Sequence, residues 1–149
     1  MIRICFRYGD PQLFARLVCL LRGGDSAHCE TAHRWVGDVY DCVSSSWMDG
    51  GVRGKLITMH HAKWRVYEVP GSPDDVRRWL KEHEGEKYDW LGILGFLVPW
   101  RWPAPNRRWF CSEASADHMW LRHAWRWDLF DLESVCKMLC KQGIARRVQ

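Results

Sequence analysis

The stretch Trp109-Phe110-Cys111-Ser112-Glu113 marks the point where an aromatic run gives way to a predicted helix. The residues that follow, as far as about His123, favour one continuous helix beginning at Cys111. A thiol in the first turn of a helix faces unpaired N–H groups and the positive end of the helix dipole, and both lower a cysteine pKa. The same N–H groups can bind an oxyanion. Cys111 is therefore a candidate nucleophile, and the alternative is a small buried apolar side chain.

A second stretch, Ser26-Ala27-His28-Cys29-Glu30, begins a predicted strand. Side chains two residues apart point to the same face of a strand, so His28 and Glu30 should lie side by side. A histidine can remove a thiol proton, and a neighbouring carboxylate can fix the orientation of its ring. The pair is thus a candidate base with its orienting group, and the alternative is a solvated polar face.

The remaining pattern predicts an α+β domain spanning residues 1–149, in which a small antiparallel sheet packs against helices. Alternation and turn residues indicate strands over residues 2–6, 27–34, 39–45, 55–59 and 64–69. Helical spacing and capping residues indicate helices over residues 10–21, 73–84, 90–98, 111–123 and 129–142. A loop rich in tryptophan and proline is expected over residues 99–108.

Composition narrows the function classes. The net charge is only +4 and no basic stripe carries interleaved aromatics, which argues against nucleic-acid binding. Seven cysteines without a framework indicate free thiols in a reducing compartment. The chain shows no signal-peptide pattern and no apolar run of bilayer length, so we expect synthesis in the cytoplasm and no stable membrane insertion. The eleven tryptophans are expected mostly in the core, with a substrate groove as the alternative.

Taken in order, four segments resemble the circularly permuted branch of the NlpC-type papain-like cysteine peptidases and amidases, in particular small phage and prophage proteins. They are Ser26–Glu30, Asp49-Gly50-Gly51-Val52-Arg53, Gly85-Glu86-Lys87-Tyr88-Asp89 and Trp109–Glu113. In that branch the histidine strand precedes the helix that carries the nucleophile. The resemblance covers about His28 to Ala116 and implies a permuted papain-like fold.

By this resemblance Cys111 is the nucleophile and His28 its base. The third, polar position is open: Glu30 is the only carboxylate on the His28 face, whereas the family commonly draws this residue from the next strand, which offers Asp41 and Ser44. Tyr88 matches a tyrosine expected near the nucleophile, where its hydroxyl could bind an oxyanion.

Arg53 is a candidate for binding a substrate carboxylate in bidentate fashion, and bracing its own loop is the alternative. His60, His61 and His83 are read as surface histidines, since no Cys, Asp or Glu joins them at ligand spacing. No metal or cofactor is predicted.

The resemblance implies hydrolysis of an amide through an acyl-cysteine, with a cell-wall peptide as substrate. Phage proteins are the expected partners, with the protein associated with the virion or released through phage factors. Two alternatives stay open. One is a lipid or ester acyl hydrolase or acyltransferase of the lecithin–retinol acyltransferase-like type. The other is a phage structural or binding module that makes no use of the site.

Overall fold

The computed structural model describes residues 1–9, 25–60, 62–94 and 108–149. Within these residues eight strands form one mixed sheet in the order β7-β6-β4-β3-β2-β1-β5-β8. Five of them are long: β1 (Ile2–Tyr8), β2 (Ser26–Val36), β3 (Val39–Ser46), β4 (Gly51–Thr58) and β5 (Trp64–Val69). Three have two residues each: β6 (Lys87–Tyr88), β7 (Arg108–Trp109) and β8 (Arg146–Arg147).

The α+β class is confirmed, but the sheet is larger than the small antiparallel sheet that the sequence predicts. The five long strands all lie where strands were predicted. The three short strands were missed, because two residues are too few to show alternation. One of these short strands also changes the sheet type, since β6 and β7 pair in parallel.

The described residues contain four α-helices: α1 (Pro73–His83), α2 (Trp90–Leu94), α3 (Cys111–His118) and α4 (Leu129–Lys141). The Ser72 hydroxyl caps α1 by accepting the Asp75 N–H at 3.2 Å. The predicted helix over residues 10–21 lies outside the described residues, as do most of the loop over residues 99–108 and the second half of the helix predicted over residues 90–98.

Helix α3 is shorter than predicted. It begins at Cys111 as expected but ends at His118 instead of His123. Two residues beyond this end, Trp120 and His123, have positive φ angles of 56° and 57°, which an α-helix cannot include. A short 3₁₀ helix, Ala124–Arg126, then leads toward α4. The apolar residues between 119 and 123 follow helical spacing, but the α-helix has already ended at His118.

The sheet separates two apolar clusters. Alternate residues of β1 show the division: Ile2, Ile4 and Phe6 belong to the larger cluster, which includes α1, α3 and α4, and Cys5 belongs to the smaller one. Of the tryptophans that the structure describes, Trp64 and Trp79 are buried, and Trp35, Trp109 and Trp127 pack half-buried against the two clusters. Among the described residues, the helices are too short or too polar to cross a lipid bilayer.

Candidate active site

Cys111 lies where the pairing between β2 and β3 has ended. The ladder between these strands starts at Thr31 and Val43, which leaves the segment from His28 to Glu30 without a β3 partner on that side. The N-terminus of α3 lies against this unpaired part of β2. The Cys111 side chain is buried, and its interaction with Cys29 of the histidine strand lowers the pKa of the thiol. The start of the helix is thus fixed against the histidine strand.

Two buried serines of β3 hold the two sides of this gap. The Ser44 hydroxyl donates to the backbone carbonyl of Cys29 at 2.8 Å, next to His28. The Ser45 hydroxyl donates to the carbonyl of Trp109 at 2.6 Å, two residues before Cys111. Adjacent side chains of one strand therefore position the nucleophile segment and the base segment. Ser44 braces the strand and is not a hydrogen-bond partner of the His28 ring.

The His28 ring interacts with both Glu30 and Cys111. Its Nε2 donates to Glu30 Oε1 at 2.8 Å. His28 also interacts with Cys111, which lines the same cleft and raises the pKa of the ring. The structure thus brings together Cys111, His28 and Glu30, three residues that the sequence proposed. The other two candidates for the third position do not contact the ring.

Glu30 is almost fully buried and is held by Arg53. The guanidinium donates from Nη1 to Oε2 at 2.8 Å and from Nη2 to Oε1 at 2.6 Å. Its Nε donates to Asp49 Oδ2 at 2.8 Å. The bidentate geometry expected for Arg53 is present, but the carboxylate is Glu30 of the same chain and not that of a substrate. Arg53 therefore acts through Glu30, because its fork already holds an internal partner.

The charges in this cluster favour an ion pair between Cys111 and His28. The hydrogen bond from the Cys29 thiol lowers the pKa of Cys111; burial opposes this, and the positive charge of His28 lowers the pKa further, to well below its ordinary value. Burial acts to lower the pKa of His28, but the negative charges of Cys111 and Glu30 outweigh it and raise the pKa to about 10. Near neutral pH the pair is thiolate and imidazolium.

Glu30 stays ionised beside this pair. Burial alone would raise the pKa of its carboxyl, but the charge and hydrogen bond of His28 and the bonds from Arg53 lower it below the usual range. The charges therefore alternate in sign along the cluster, from Arg53 through Glu30 and His28 to Cys111.

Tyr88 lines the cleft, whereas Asp41 is not among its lining residues. Tyr88 lines the same cleft as Cys111; burial, and next the charge of Cys111, raise the pKa of its phenol, so the hydroxyl remains a donor. Asp41 points elsewhere, with Oδ2 at 3.5 Å from His33 Nε2. Asp41 therefore lies away from the His28 ring, because it pairs with Arg34 farther along the β2–β3 ladder.

The cleft over Cys111 has a volume of about 310 Å³. Ionisable side chains that line it include Arg7, Lys55 and Asp128. Much of the wall is apolar and aromatic, with Trp47, Met48, Ile57, Trp90 and Phe130 among the lining residues. Trp47 and Trp90 contact each other at 5.5 Å between ring centroids and remain 49% and 43% exposed. The cleft that holds the nucleophile is thus lined by apolar and aromatic side chains together with charged ones.

Within the part of the chain that the structure describes, no three His, Cys, Asp or Glu side chains form a group that could hold a metal ion. His83 hydrogen-bonds Glu86 at 2.9 Å, and His60 is exposed. His61 lies outside the described residues. Six cysteines are described, and all of them are free thiols.

Sequence reasoning missed two residues of the site, Cys29 and Ser45. Both are fully buried and touch the segments that carry the base and the nucleophile. Cys29 adjoins His28, yet strand alternation assigns its side chain to the opposite face, so no pattern indicates the contact. Such contacts depend on how the helix enters the sheet.

Comparison with known proteins gives no assignment. No protein-family model, curated protein or solved structure matches the chain. The function must therefore be argued from the residues of the cleft.

Proposed function

We propose that this protein is a cysteine hydrolase that cleaves an amide or ester through an acyl-cysteine formed on Cys111. The observation that carries the proposal is the contact of Cys111, His28 and Glu30 at the floor of one cleft. A buried thiolate facing an imidazolium that a carboxylate orients is the arrangement that activates a cysteine nucleophile.

In the first half-reaction the Cys111 thiolate attacks the substrate carbonyl carbon and forms a C–S bond. First-turn N–H groups of α3 and the Tyr88 hydroxyl stabilise the negative oxygen. When the tetrahedral intermediate collapses, the C–N or C–O bond breaks and the leaving group takes the proton from His28. The products of this step are acyl-Cys111, the free amine or alcohol, and neutral His28.

In the second half-reaction neutral His28 removes a proton from water, which attacks the acyl carbon. Collapse then breaks the C–S bond, releases the acid and restores the thiolate–imidazolium pair. Glu30 keeps the ring oriented through both steps, and Arg53 keeps Glu30 in place. Atoms and charges return to the starting state.

The specific class that we propose is a permuted papain-like hydrolase of phage or prophage type acting on a cell-wall peptide bond. Its support is the order of the motifs, with the histidine strand preceding the cysteine helix, together with the α+β arrangement. Partner phage proteins and association with the virion belong to the same proposal.

One observation favours a second substrate class, a lipid or other ester with a long acyl chain. The cleft that contains Cys111 is also lined by Trp47, Met48 and Trp90, three large apolar side chains that are exposed to solvent. Burying such surface against an acyl chain yields about 25 cal/mol per Å². A peptide rich in carboxylates would instead meet Arg7 and Lys55 at the edge.

Acylation is tested with p-nitrophenyl acetate and intact-protein mass spectrometry after rapid acid quenching. We expect one acetyl group, located on Cys111 by peptide mapping, in the native protein. Cys111→Ser and His28→Ala should show none, and Cys136→Ala serves as a buried-cysteine control. Should folded native protein give no adduct at any pH from 5 to 9, the hydrolase proposal fails and a binding module remains.

The substrate classes are separated by turnover of purified muropeptides and of phospholipid or acyl-ester micelles. Trp47→Ser should reduce turnover of the acyl ester far more than that of the muropeptide if the apolar wall binds the chain. Trp120→Ser is the matched control, because Trp120 is 61% exposed and is not among the residues that line the cleft. Turnover of muropeptides alone would reject the ester substrate.

A further inference from the structure

Strand β4 is fully paired on one side only. Along its whole length it pairs with β3. On its other side β6 pairs with it at Gly51, and Val52 bonds to the turn before β6. The Val52 N–H donates to the Glu86 carbonyl at 2.8 Å, and the Val52 carbonyl accepts from the Gly85 N–H at 3.0 Å. Within the described residues, the part of β4 over residues 53–58, here named the free edge, has no neighbouring strand on this side.

The bonds of Val52 identify the residues whose backbone groups point out of the free edge. In an antiparallel strand, successive residues direct their N–H and C=O groups alternately to one neighbour and to the other. Val52 directs its groups away from β3, so Gly54, Leu56 and Thr58 do the same. In the described part of the chain, these outward groups form no backbone hydrogen bond. They are therefore available to the backbone of an added strand.

The side chains along the free edge leave it accessible. Gly54 and Thr58 are exposed, and Leu56, midway between them, is 66% exposed. A lysine on an edge strand commonly hinders pairing. Lys55, however, projects to the opposite face, where it lines the cleft and its Nζ donates to Asp49 Oδ1 at 3.2 Å. The residues of the free edge on the Leu56 face are thus uncharged.

The sequence of the free edge is compatible with pairing to itself. In an antiparallel register centred on Leu56, this residue faces Leu56 of a second copy, and Gly54 faces Thr58. All three residues with outward backbone groups then form hydrogen bonds, and the two leucines bury apolar surface against each other. On the cleft face Lys55 lies opposite Ile57, so like charges do not meet.

The neighbouring registers are less favourable. Centring the pair on Lys55 places two ammonium groups opposite each other. It also sets Thr58 against Val52, whose backbone groups are already bonded to the turn before β6. Centring the pair on Ile57 leaves Gly54 opposite a residue outside β4. Of these registers, the first alone uses the whole free edge.

We propose that the protein forms a symmetric dimer in which the free edges of two copies pair antiparallel about Leu56. Such a contact uses the same patch on both copies, so it closes on itself and needs no other component. The two-fold axis stands perpendicular to the joined sheet, which places both clefts on one face, with Lys55 of each copy beside Ile57 of the other. The dimer goes beyond the proposed chemistry, and it uses none of the residues that carry that chemistry.

Sedimentation equilibrium tests the dimer. A pair of five-residue strands lies at the small end of protein interfaces, below about 1,200 Å² of buried surface, so the copies should separate on dilution. The mass should rise from 17.7 kDa toward twice that value as the protein concentration is raised from about 10 µM to about 1 mM. A mass that stays at 17.7 kDa throughout would overturn the proposal, and it is also the result expected if the free edge takes a peptide of another protein.

Two variants of Leu56 locate the contact. Leu56→Pro removes the central outward donor without breaking a bond to β3, because the Leu56 N–H points away from β3. Leu56→Lys keeps the backbone intact and sets two charges against each other, which keeps the test valid if the proline variant fails to fold. Both variants should stay monomeric at the highest concentration.

The matched control is Val36→Lys, the same change at a 79% exposed residue of β2, and it should dimerise like native protein. A dimer that persists in folded Leu56→Lys would place the interface elsewhere and overturn the proposal.

Amide hydrogen exchange supplies a second, local readout. In native protein the amides of Leu56 and Thr58 should exchange several-fold more slowly at high than at low concentration, because the second copy accepts their hydrogen bonds. The amide of Lys55, which points to β3, should exchange at the same rate at both concentrations. Exchange at Leu56 that does not change while the mass doubles would also overturn the proposal.

Discussion

His28 and His118 are both largely shielded from solvent, yet their surroundings drive them to opposite charge states. The His28 side chain is 19% exposed, hydrogen-bonds Glu30 and interacts with Cys111. His118 is 5% exposed, and neither of its ring nitrogens has a hydrogen-bond partner among the described residues. Its ring packs against the ring of Trp79 at 4.6 Å between centroids.

The difference shows that burial does not set the charge of a histidine by itself. Burial lowers the pKa of both rings. At His118 the neighbouring His33 and His83 add to this effect, and the pKa falls to about 3. At His28 two negative partners reverse it. His28, beside a carboxylate and a thiol of lowered pKa, thus holds a charged imidazole, whereas His118, packed against Trp79, holds a neutral one.

The largest expected effect is on catalysis. His28→Ala removes both the partner that activates the thiol and the donor to the leaving group, so acyl-transfer rates should fall roughly 10²- to 10⁴-fold. His118→Leu should retain acyl transfer, because its ring packs against Trp79 and is not among the residues that line the cleft. Rates with p-nitrophenyl acetate, measured beside thermal melts, check both variants. A larger loss in His118→Leu than in His28→Ala would reverse the comparison.

The next effect is on stability in acid. An unfolded histidine binds a proton near pH 6.5, whereas folded His118 resists protonation down to about pH 3. The free energy of unfolding should therefore fall as the pH drops from about 6.5 to 3, by up to about 5 kcal/mol from this residue. Urea titrations at several pH values should show this slope in native protein and in the exposed-site control His60→Leu.

In His118→Leu, the fall in the free energy of unfolding that comes from protonation of this residue should be absent. Identical pH slopes for native protein and His118→Leu would mean that the buried ring has a polar partner and ionises normally.

Removing Arg53 should leave Glu30, like His118, buried without enough hydrogen-bond partners. Arg53→Met leaves the buried Glu30 carboxylate without its bidentate partner and should reduce the free energy of unfolding by about 3–5 kcal/mol. Lys55→Met is the matched control: Lys55 pairs with Asp49, is 54% exposed, and should cost at most about 1 kcal/mol. Similar losses in denaturant titrations would argue against a structural role of the Arg53–Glu30 pair.

A smaller loss of rate is expected for Glu30→Gln, a variant that separates the two roles of Glu30: its negative charge and its orientation of the His28 ring. Glu30→Gln keeps a carbonyl oxygen that can accept from His28 Nε2 but removes the negative charge. We expect a loss of about 1 kcal/mol in transition-state stabilisation, roughly five- to tenfold in rate. Asp41→Asn should have no effect, since Asp41 contacts His33 instead. An inactive Asp41→Asn with an active Glu30→Gln would place the third residue on β3.

Much of this cleft could be predicted from the sequence. Period-two geometry placed Glu30 beside His28, and the helix start at Cys111 follows from the change of residue type there. The contact between segments 83 residues apart was not visible in any local pattern; it entered through the resemblance to a known family. Of the folded elements, the five long strands were predicted and α3 was extended too far.

The unpredicted features are those that depend on how elements meet. Arg53 lies opposite Ser44 in the β3–β4 register, and only that register lets its guanidinium reach Glu30. Cys29 contacts Cys111 because β3 leaves β2 early enough for a helix to enter. Trp120 was read as helical because aromatic spacing alone does not reveal a positive φ angle.

The thiolate–imidazolium pair at Cys111 and His28 can be observed by NMR titration of the ring protons and nitrogens of the histidines. His28→Gln and His118→Leu assign the two signals. We predict that His28 is charged at pH 7 and loses its proton only near pH 10, while His118 is neutral at pH 7 and gains one only near pH 3. A neutral His28 at pH 7, titrating near 6.5 as in an unfolded chain, would contradict the account.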